Sequence, residues 1–201
     1  YIHKPDDHPT WDAWEEYHVM LGLLKWYGVC RDEMVLSGVR RIGDLFCERF
    51  LNTGRRLADI GSTYANLAPV HSLGLLYLYT QEERYKRLAL EIVKDLERPD
   101  CGDYFRLALA DTEFYQNPQP RWESLHVVEG LAILYDITGN AMYKQAVEQI
   151  WWSIAKTDVH NTGGFSTSEQ ASGNPFGKGS IETCCTAAWM ALSVDMLHLS
   201  K

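Results

Sequence analysis

A helical repeat of about 55 residues constrains the fold of this chain most. Three apolar segments begin at His18, His71 and His126, and each carries a glycine three or four residues later and a tyrosine eight or nine residues later. The histidines are 53 and 55 residues apart, and a further apolar segment begins at Glu182, 56 residues after the last histidine. Because apolar residues recur with the period of an α-helix, the pattern predicts an array of helical hairpins.

Seven helices are expected from this periodicity, and strand-like alternation is scarce, so the predicted fold class is all-α. The expected helices span 11–28, 32–52, 67–80, 83–98, 121–138, 141–157 and 181–199. The repeat is longer than the roughly 34 residues of tetratricopeptide repeats and the roughly 40–47 residues of HEAT repeats. It suits an (α/α)6 barrel, a toroid of six hairpins in which alternate helices form the inner ring.

The length of the chain predicts only part of such a toroid. Six hairpins of this size need about 330 residues, whereas the chain has 201. We therefore expect residues 1–201 to form a single α-helical hairpin domain, an incomplete part of the barrel whose other hairpins lie outside this chain. In that arrangement His18, His71 and His126 would ring one end of the barrel and face a common cleft. The alternative is that these histidines only pack at helix N-termini.

Composition and charge exclude several classes of protein. The net charge is −8 and no stripe of lysine and arginine is present, which argues against nucleic-acid binding. No run of about 18 apolar residues occurs, so no membrane span is expected. The five cysteines show no regular spacing and do not predict a disulfide framework. Unpaired thiols slightly favour the cytoplasm, with the periplasm as the alternative. The 7 tryptophans and 11 tyrosines serve either core packing or a cleft that stacks flat rings.

The loop 161–180 is rich in glycine and serine, and Glu169 is its only carboxylate. Since this loop connects an outer to an inner helix, we expect it to lie over the cleft. Glu169 could act there as a general acid, with its pKa raised by partial burial. The alternative is an ordinary solvated side chain.

Glu182 and Cys184 lie two residues apart at the start of the last predicted helix. A carboxylate and a thiolate at this spacing can both reach one metal ion, and zinc accepts both ligand types. The helix N-terminus also lowers the pKa expected for a thiol. Alternatively, Glu182 is a first-turn charge favoured by the helix dipole, and Cys184 and Cys185 are core thiols.

Three segments carry a resemblance to a known family. They are the Gly163-Gly164 turn with its loop glutamate and the following Glu-Thr-Cys sequence, the Trp-Glu-Glu-Tyr-His sequence that ends at His18, and the Leu-Tyr-Asp-Ile-Thr-Gly-Asn sequence that ends the His126 helix. From about residue 11 to residue 197 the chain resembles the β-L-arabinofuranosidase family, glycoside hydrolase family 127.

The resemblance implies a fold and a reaction. The family has an (α/α)6-barrel catalytic domain followed by β-sandwich domains. It hydrolyses non-reducing terminal β-L-arabinofuranosides of plant-type glycans with retention, using a zinc-bound cysteine as nucleophile and a glutamate as acid/base. Its nucleophile belongs to a further Cys-Cys pair, which would lie beyond Lys201. The chain alone is therefore expected to be inactive and to hold zinc incompletely.

The resemblance also assigns roles to residues of this sequence. Glu169 matches the acid/base, and Glu182 and Cys184 match two zinc ligands. His18, His71 and His126 match cleft positions that contact the hydroxyls of a carbohydrate substrate. Two other functions are compatible with the same toroid: a sugar epimerase or unsaturated uronyl hydrolase, and a carbohydrate-binding protein without catalysis. The cysteines of the 182–185 segment favour the hydrolase.

Overall fold

The computed structural model describes residues 11–201, and this part of the chain is mostly α-helical. It divides into two compact units, one ending at Asp95 and one running from Leu96 to Lys201, and each is described by itself. The helices of the first unit are α1 (Asp12–Cys30), α2 (Glu33–Phe50), α3 (Thr63–Asn66), α4 (Pro69–Thr80) and α5 (Glu83–Asp95). A 3-10 turn, Leu57–Asp59, precedes α3.

Two antiparallel hairpins build the first unit. Helix α1 packs against α2 and α4, and α4 packs against α5. The first two turns of α4 are buried on every side, as expected for an inner helix. Helix α5 buries only one face, which includes Tyr85, Leu88 and Ile92. The hairpin turns are set locally: Arg31 ends α1 in the left-handed conformation, and the side chain of Asp32 caps α2 by accepting from the backbone N–H of Met34.

The second unit contains α6 (Tyr104–Leu109), α7 (Glu123–Thr138), α8 (Ala141–Thr157) and α9 (Thr183–Leu199), with 3-10 turns at Pro99–Cys101 and Phe114–Gln116. Helix α7 packs against α8 and α9, and α6 packs against α8. Gly139 ends α7 with a φ of 67°, and Asn140 caps α8 through its side chain. Gly139 therefore provides the left-handed stop that a helix end needs.

The all-α fold class is confirmed for the described residues, where β pairing is limited to three isolated bridges. The seven expected helices correspond to α1, α2, α4, α5, α7, α8 and α9, with ends that differ by up to three residues. Two short helices, α3 and α6, were not expected. The completeness of the barrel and the single-domain organisation stay predictions.

No helix within residues 11–201 is both long and apolar enough to cross a membrane.

Candidate active site

The long loop between α8 and α9 folds back on the beginnings of two helices. Thr167 pairs with Ile181, one residue before Glu182, and Gln170 pairs with Arg121, two residues before α7. The N–H of Ala171 donates to the carbonyl of Pro120 over 2.8 Å. The loop is therefore tied to the N-terminal ends of α7 and α9, which pack against each other in this unit.

A buried carboxylate anchors the same loop to the end of α8. Oδ1 of Asp158 accepts hydrogen bonds from the N–H groups of Ser172 at 2.5 Å and Gly173 at 3.0 Å. Its Oδ2 accepts from the hydroxyl of Thr157 at 2.7 Å. Backbone N–H groups in a loop need such acceptors when they are shielded from water. Asp158 thus fixes the part of the loop around Ser172 and Gly173.

Glu169 lies in the segment that is tied to α7. Its φ is 62°, in the left-handed region that residues other than glycine rarely occupy. Its carbonyl accepts from the N–H of Trp122 over 3.2 Å, and its carboxylate Oε2 is 2.6 Å from Nη2 of Arg121. The side chain is 37% exposed. Glu169 is therefore held at both backbone and side chain, and still reaches solvent.

Glu182, Cys184 and Cys185 form the one group of three or more metal-ligating side chains found among residues 11–201. One carboxylate oxygen and the two sulfurs lie within 4.8 Å of one another. Zinc ligands lie about 2.0–2.3 Å from the ion, so one ion can bridge these atoms after small rotations of the side chains. The donor set, two thiolates and a carboxylate, suits zinc. The residues therefore fit a zinc ion, with a fourth ligand supplied from outside the cluster.

The electrostatics of the two thiols differ from the sequence prediction. Burial raises the pKa of the Cys184 thiol, and the hydrogen bond to Glu182 raises it further. Burial raises the pKa of Cys185 to about 12, and the neighbouring Cys184 adds to the increase. The expectation that the helix N-terminus would lower the pKa of Cys184 was wrong. Desolvation and the adjacent carboxylate outweigh the helix dipole here.

His126 lies on the first turn of α7 and pairs with a buried acid. Its Nδ1 is 2.7 Å from Oε2 of Glu129, and its ring meets the ring of Trp122 edge-on at 5.9 Å. Both His126 and Glu129 are largely shielded from solvent. A carboxylate bound to one imidazole nitrogen fixes the orientation of the ring and the tautomer.

In the first unit, Tyr17 connects the other two predicted histidines. Its hydroxyl is 3.1 Å from Nδ1 of His71, which is buried, and its ring centroid is 4.8 Å from that of the exposed His18. Trp14 also contacts His18, at 4.4 Å between ring centroids. The structure brings His18 and His71 to the same aromatic cluster. The predicted convergence of all three histidines on one cleft stays a prediction.

Sequence reasoning missed several residues of the site. Arg121 gave no signal, because a single arginine before a helix matches no motif. Cys185 is visible as the second of two adjacent cysteines, but the sequence leaves it either a core thiol or part of a metal site, and only Glu182 and Cys184 are matched to zinc ligands. Asp158 and Glu129 are acids buried by packing, which the sequence does not reveal.

A family model of the β-L-arabinofuranosidase GH127 catalytic domain matches residues 4–201. The chain belongs to this family. No curated protein and no solved structure matched the chain. The GH127 match shows that the chain comes from a glycoside hydrolase, an enzyme whose substrate is a carbohydrate. The family resemblance drawn from the sequence is thereby confirmed.

Proposed function

We propose that this GH127 domain releases non-reducing terminal β-L-arabinofuranosyl groups from plant-type glycans with retention of configuration. The Glu182–Cys184–Cys185 cluster carries the proposal, because it places thiolate and carboxylate ligands together in a chain of this family. A retaining reaction needs a nucleophile and a group that first donates and then accepts a proton. The proposed nucleophile is a zinc-bound cysteine of a further pair beyond Lys201.

Glu169 is the proposed acid/base. It would donate a proton to the leaving glycosidic oxygen and then take one from the water that releases the sugar. Its position supports this role, since the loop that holds it is tied to the N-terminal ends of α7 and α9 through Gln170 and Thr167. The cluster at Glu182 follows directly after one of these ties.

Glu182, Cys184 and Cys185 would hold the zinc ion. A bound zinc ion keeps a cysteine in the thiolate form at neutral pH, which is the reactive form. The Cys184 thiol donates to Oε2 of Glu182 over 3.3 Å. This hydrogen bond keeps the two side chains facing each other, as two ligands of one zinc ion would have to be.

His126 is the best placed of the three histidines to bind a sugar hydroxyl, because Glu129 orients its ring. We propose the same role for His71, which is hydrogen-bonded to Tyr17, and for His18. The partly buried rings of Trp14 and Trp122 contact His18 and His126 and supply flat surfaces next to these two histidines. Such surfaces pack well against the apolar faces of sugar rings.

The test of the acid/base uses the complete protein, including the segment after Lys201 that would supply the nucleophile, with 4-nitrophenyl β-L-arabinofuranoside as substrate. Glu169→Gln should lower kcat by about 10²–10⁴-fold, the usual effect of losing a general acid. The matched control is Glu148→Gln, because Glu148 has a similar exposed fraction of 38% and also pairs with a cation, Lys144. This control should keep full activity. Full activity in Glu169→Gln would overturn the assigned role.

Two further measurements test the reaction and the metal. Proton NMR of the first sugar released should show the β-anomer, and the α-anomer would overturn retention.

Cys184→Ala and Cys185→Ala should each reduce the zinc content of the purified protein, whereas Cys101→Ala, a buried cysteine of the same unit, should not. Hydrolysis of other aryl glycosides in place of the arabinofuranoside would reassign the substrate. Binding without hydrolysis would favour a non-catalytic toroid.

A further inference from the structure

Arg121 bridges two carboxylates at the start of α7. Its Nε and Nη2 atoms contact the two carboxylate oxygens of Glu123 at 3.1 and 3.0 Å, which is a two-point pairing. The same Nη2 lies 2.6 Å from Oε2 of Glu169. One guanidinium group therefore links the loop glutamate to a helix.

The helix side of this bridge is rigid. The side chain of Glu123 is only 5% exposed and that of Arg121 is 21% exposed. A planar guanidinium paired at two points with a buried carboxylate has little freedom to rotate. Arg121 can thus act as a fixed partner for the more exposed Glu169.

The backbone around the bridge independently fixes Glu169. The N–H of Trp122 donates to the carbonyl of Glu169. Gln170, the next residue along the loop, forms an antiparallel bridge with Arg121. Ser168 and Glu169 both have φ near 60°, at 61° and 62°. Strained positions of this kind persist only where the surroundings hold them. The side-chain and backbone contacts together restrict the direction of the Glu169 carboxylate.

We infer that Arg121 is a positioning residue that aims Glu169 at the leaving oxygen. This inference rests on the proposed function of Glu169. A general acid that is misplaced by about 1 Å can lose about 10²-fold in rate. The charged groups that face Glu169 from the α7 side are Arg121 and, behind it, Glu123.

The experiment compares Arg121→Met and Arg121→Lys on two aglycones, 2,4-dinitrophenyl and phenyl β-L-arabinofuranoside. The dinitrophenolate leaves without protonation, whereas phenolate depends on the general acid. In the complete protein, Arg121→Met should therefore lose about 10-fold more kcat/KM on the phenyl substrate than on the dinitrophenyl substrate, because kcat/KM reports the first step, in which Glu169 donates its proton. Arg121→Lys should recover part of the difference, because lysine keeps the charge but not the two-point pairing. Arg98→Met, which removes an arginine from an exposed ion pair with Asp100, is the matched control and should show no preference.

Amide hydrogen exchange gives a readout that does not depend on activity. Arg121→Met should speed exchange of the N–H groups of Trp122 and Ala171, which bond across the bridge, and Arg98→Met should not. Equal losses of kcat/KM on both aglycones, or unchanged exchange, would overturn the inference. Glu169→Gln is measured in parallel: if it shows no preference between aglycones, the proposed function fails, whereas a selective Glu169→Gln with a non-selective Arg121→Met refutes only the role of Arg121.

Discussion

The thiol of Cys184 donates a hydrogen bond to Oε2 of Glu182 over 3.3 Å. The sulfur of Cys185 lies within 4.8 Å of the ligand atoms of both residues. In this arrangement both thiols hold their protons more firmly than an ordinary cysteine does. Metal binding must therefore displace protons, which makes the cluster sensitive to pH.

Zinc affinity should rise with pH between about pH 6 and 8. Because the pKa of each thiol is raised, both are protonated in this window in the metal-free protein, and binding releases about two protons. The apparent association constant should then increase by about 100-fold per pH unit, and by about 10-fold in Cys185→Ala. Competition with a coloured chelator measures this. A pH-independent constant would show that the thiols are not ligands.

Alkylation should distinguish Cys185 from the exposed Cys30. With a pKa of about 12, Cys185 is almost entirely neutral thiol at pH 8, and only the thiolate reacts with iodoacetamide. In the metal-free protein Cys185 should react at least about 10-fold more slowly than Cys30, and its rate should climb as the pH rises to 10. Peptide mass spectrometry gives both rates. Equally fast labelling of the two residues would contradict the pKa assignment.

Asp158→Ala should destabilise the domain by about 1–3 kcal/mol, since it leaves the N–H groups of Ser172 and Gly173 without their acceptor. Asp158→Asn keeps one acceptor oxygen and should cost less. Urea denaturation measures both free energies of unfolding. Asp136→Ala replaces an exposed aspartate of α7 and should change stability by no more than about 0.5 kcal/mol. A loss for Asp158→Ala no larger than this control would argue against the anchoring role.

Tyr17→Phe should lower the free energy of unfolding by about 1 kcal/mol, because it removes the buried hydrogen bond between Tyr17 and Nδ1 of His71. The nitrogen resonances of His71 should shift in the NMR spectrum, which a general loss of packing would not produce selectively. Tyr79→Phe, at a more exposed position of the same unit, serves as the control. Unchanged His71 resonances would show that the hydroxyl does not set the state of the imidazole.

The helices were predictable because their information is local. Apolar residues recur every three to four positions along α2, α5 and α8, and Gly139 marks a helix end without reference to the rest of the chain. The short α3 and α6 were missed since helices of four and six residues are too brief to show a period. The positions of Glu182 and Cys184 followed from the same local pattern, as both lie at the beginning of α9.

The sequence by itself determined the all-α class, the hairpin repeat, the family and the Glu-x-Cys pair, since each is written in residues that lie close together along the chain. Only the tertiary structure decided the partner of Glu169 and brought Cys185 within 4.8 Å of the other two candidate metal ligands. Arg121 and Glu169 are 48 residues apart, and no spacing rule relates them. The sequence predicted a lowered pKa for Cys184, but burial raises it. Burial depends on which residues pack against a side chain, and these come from distant parts of the chain.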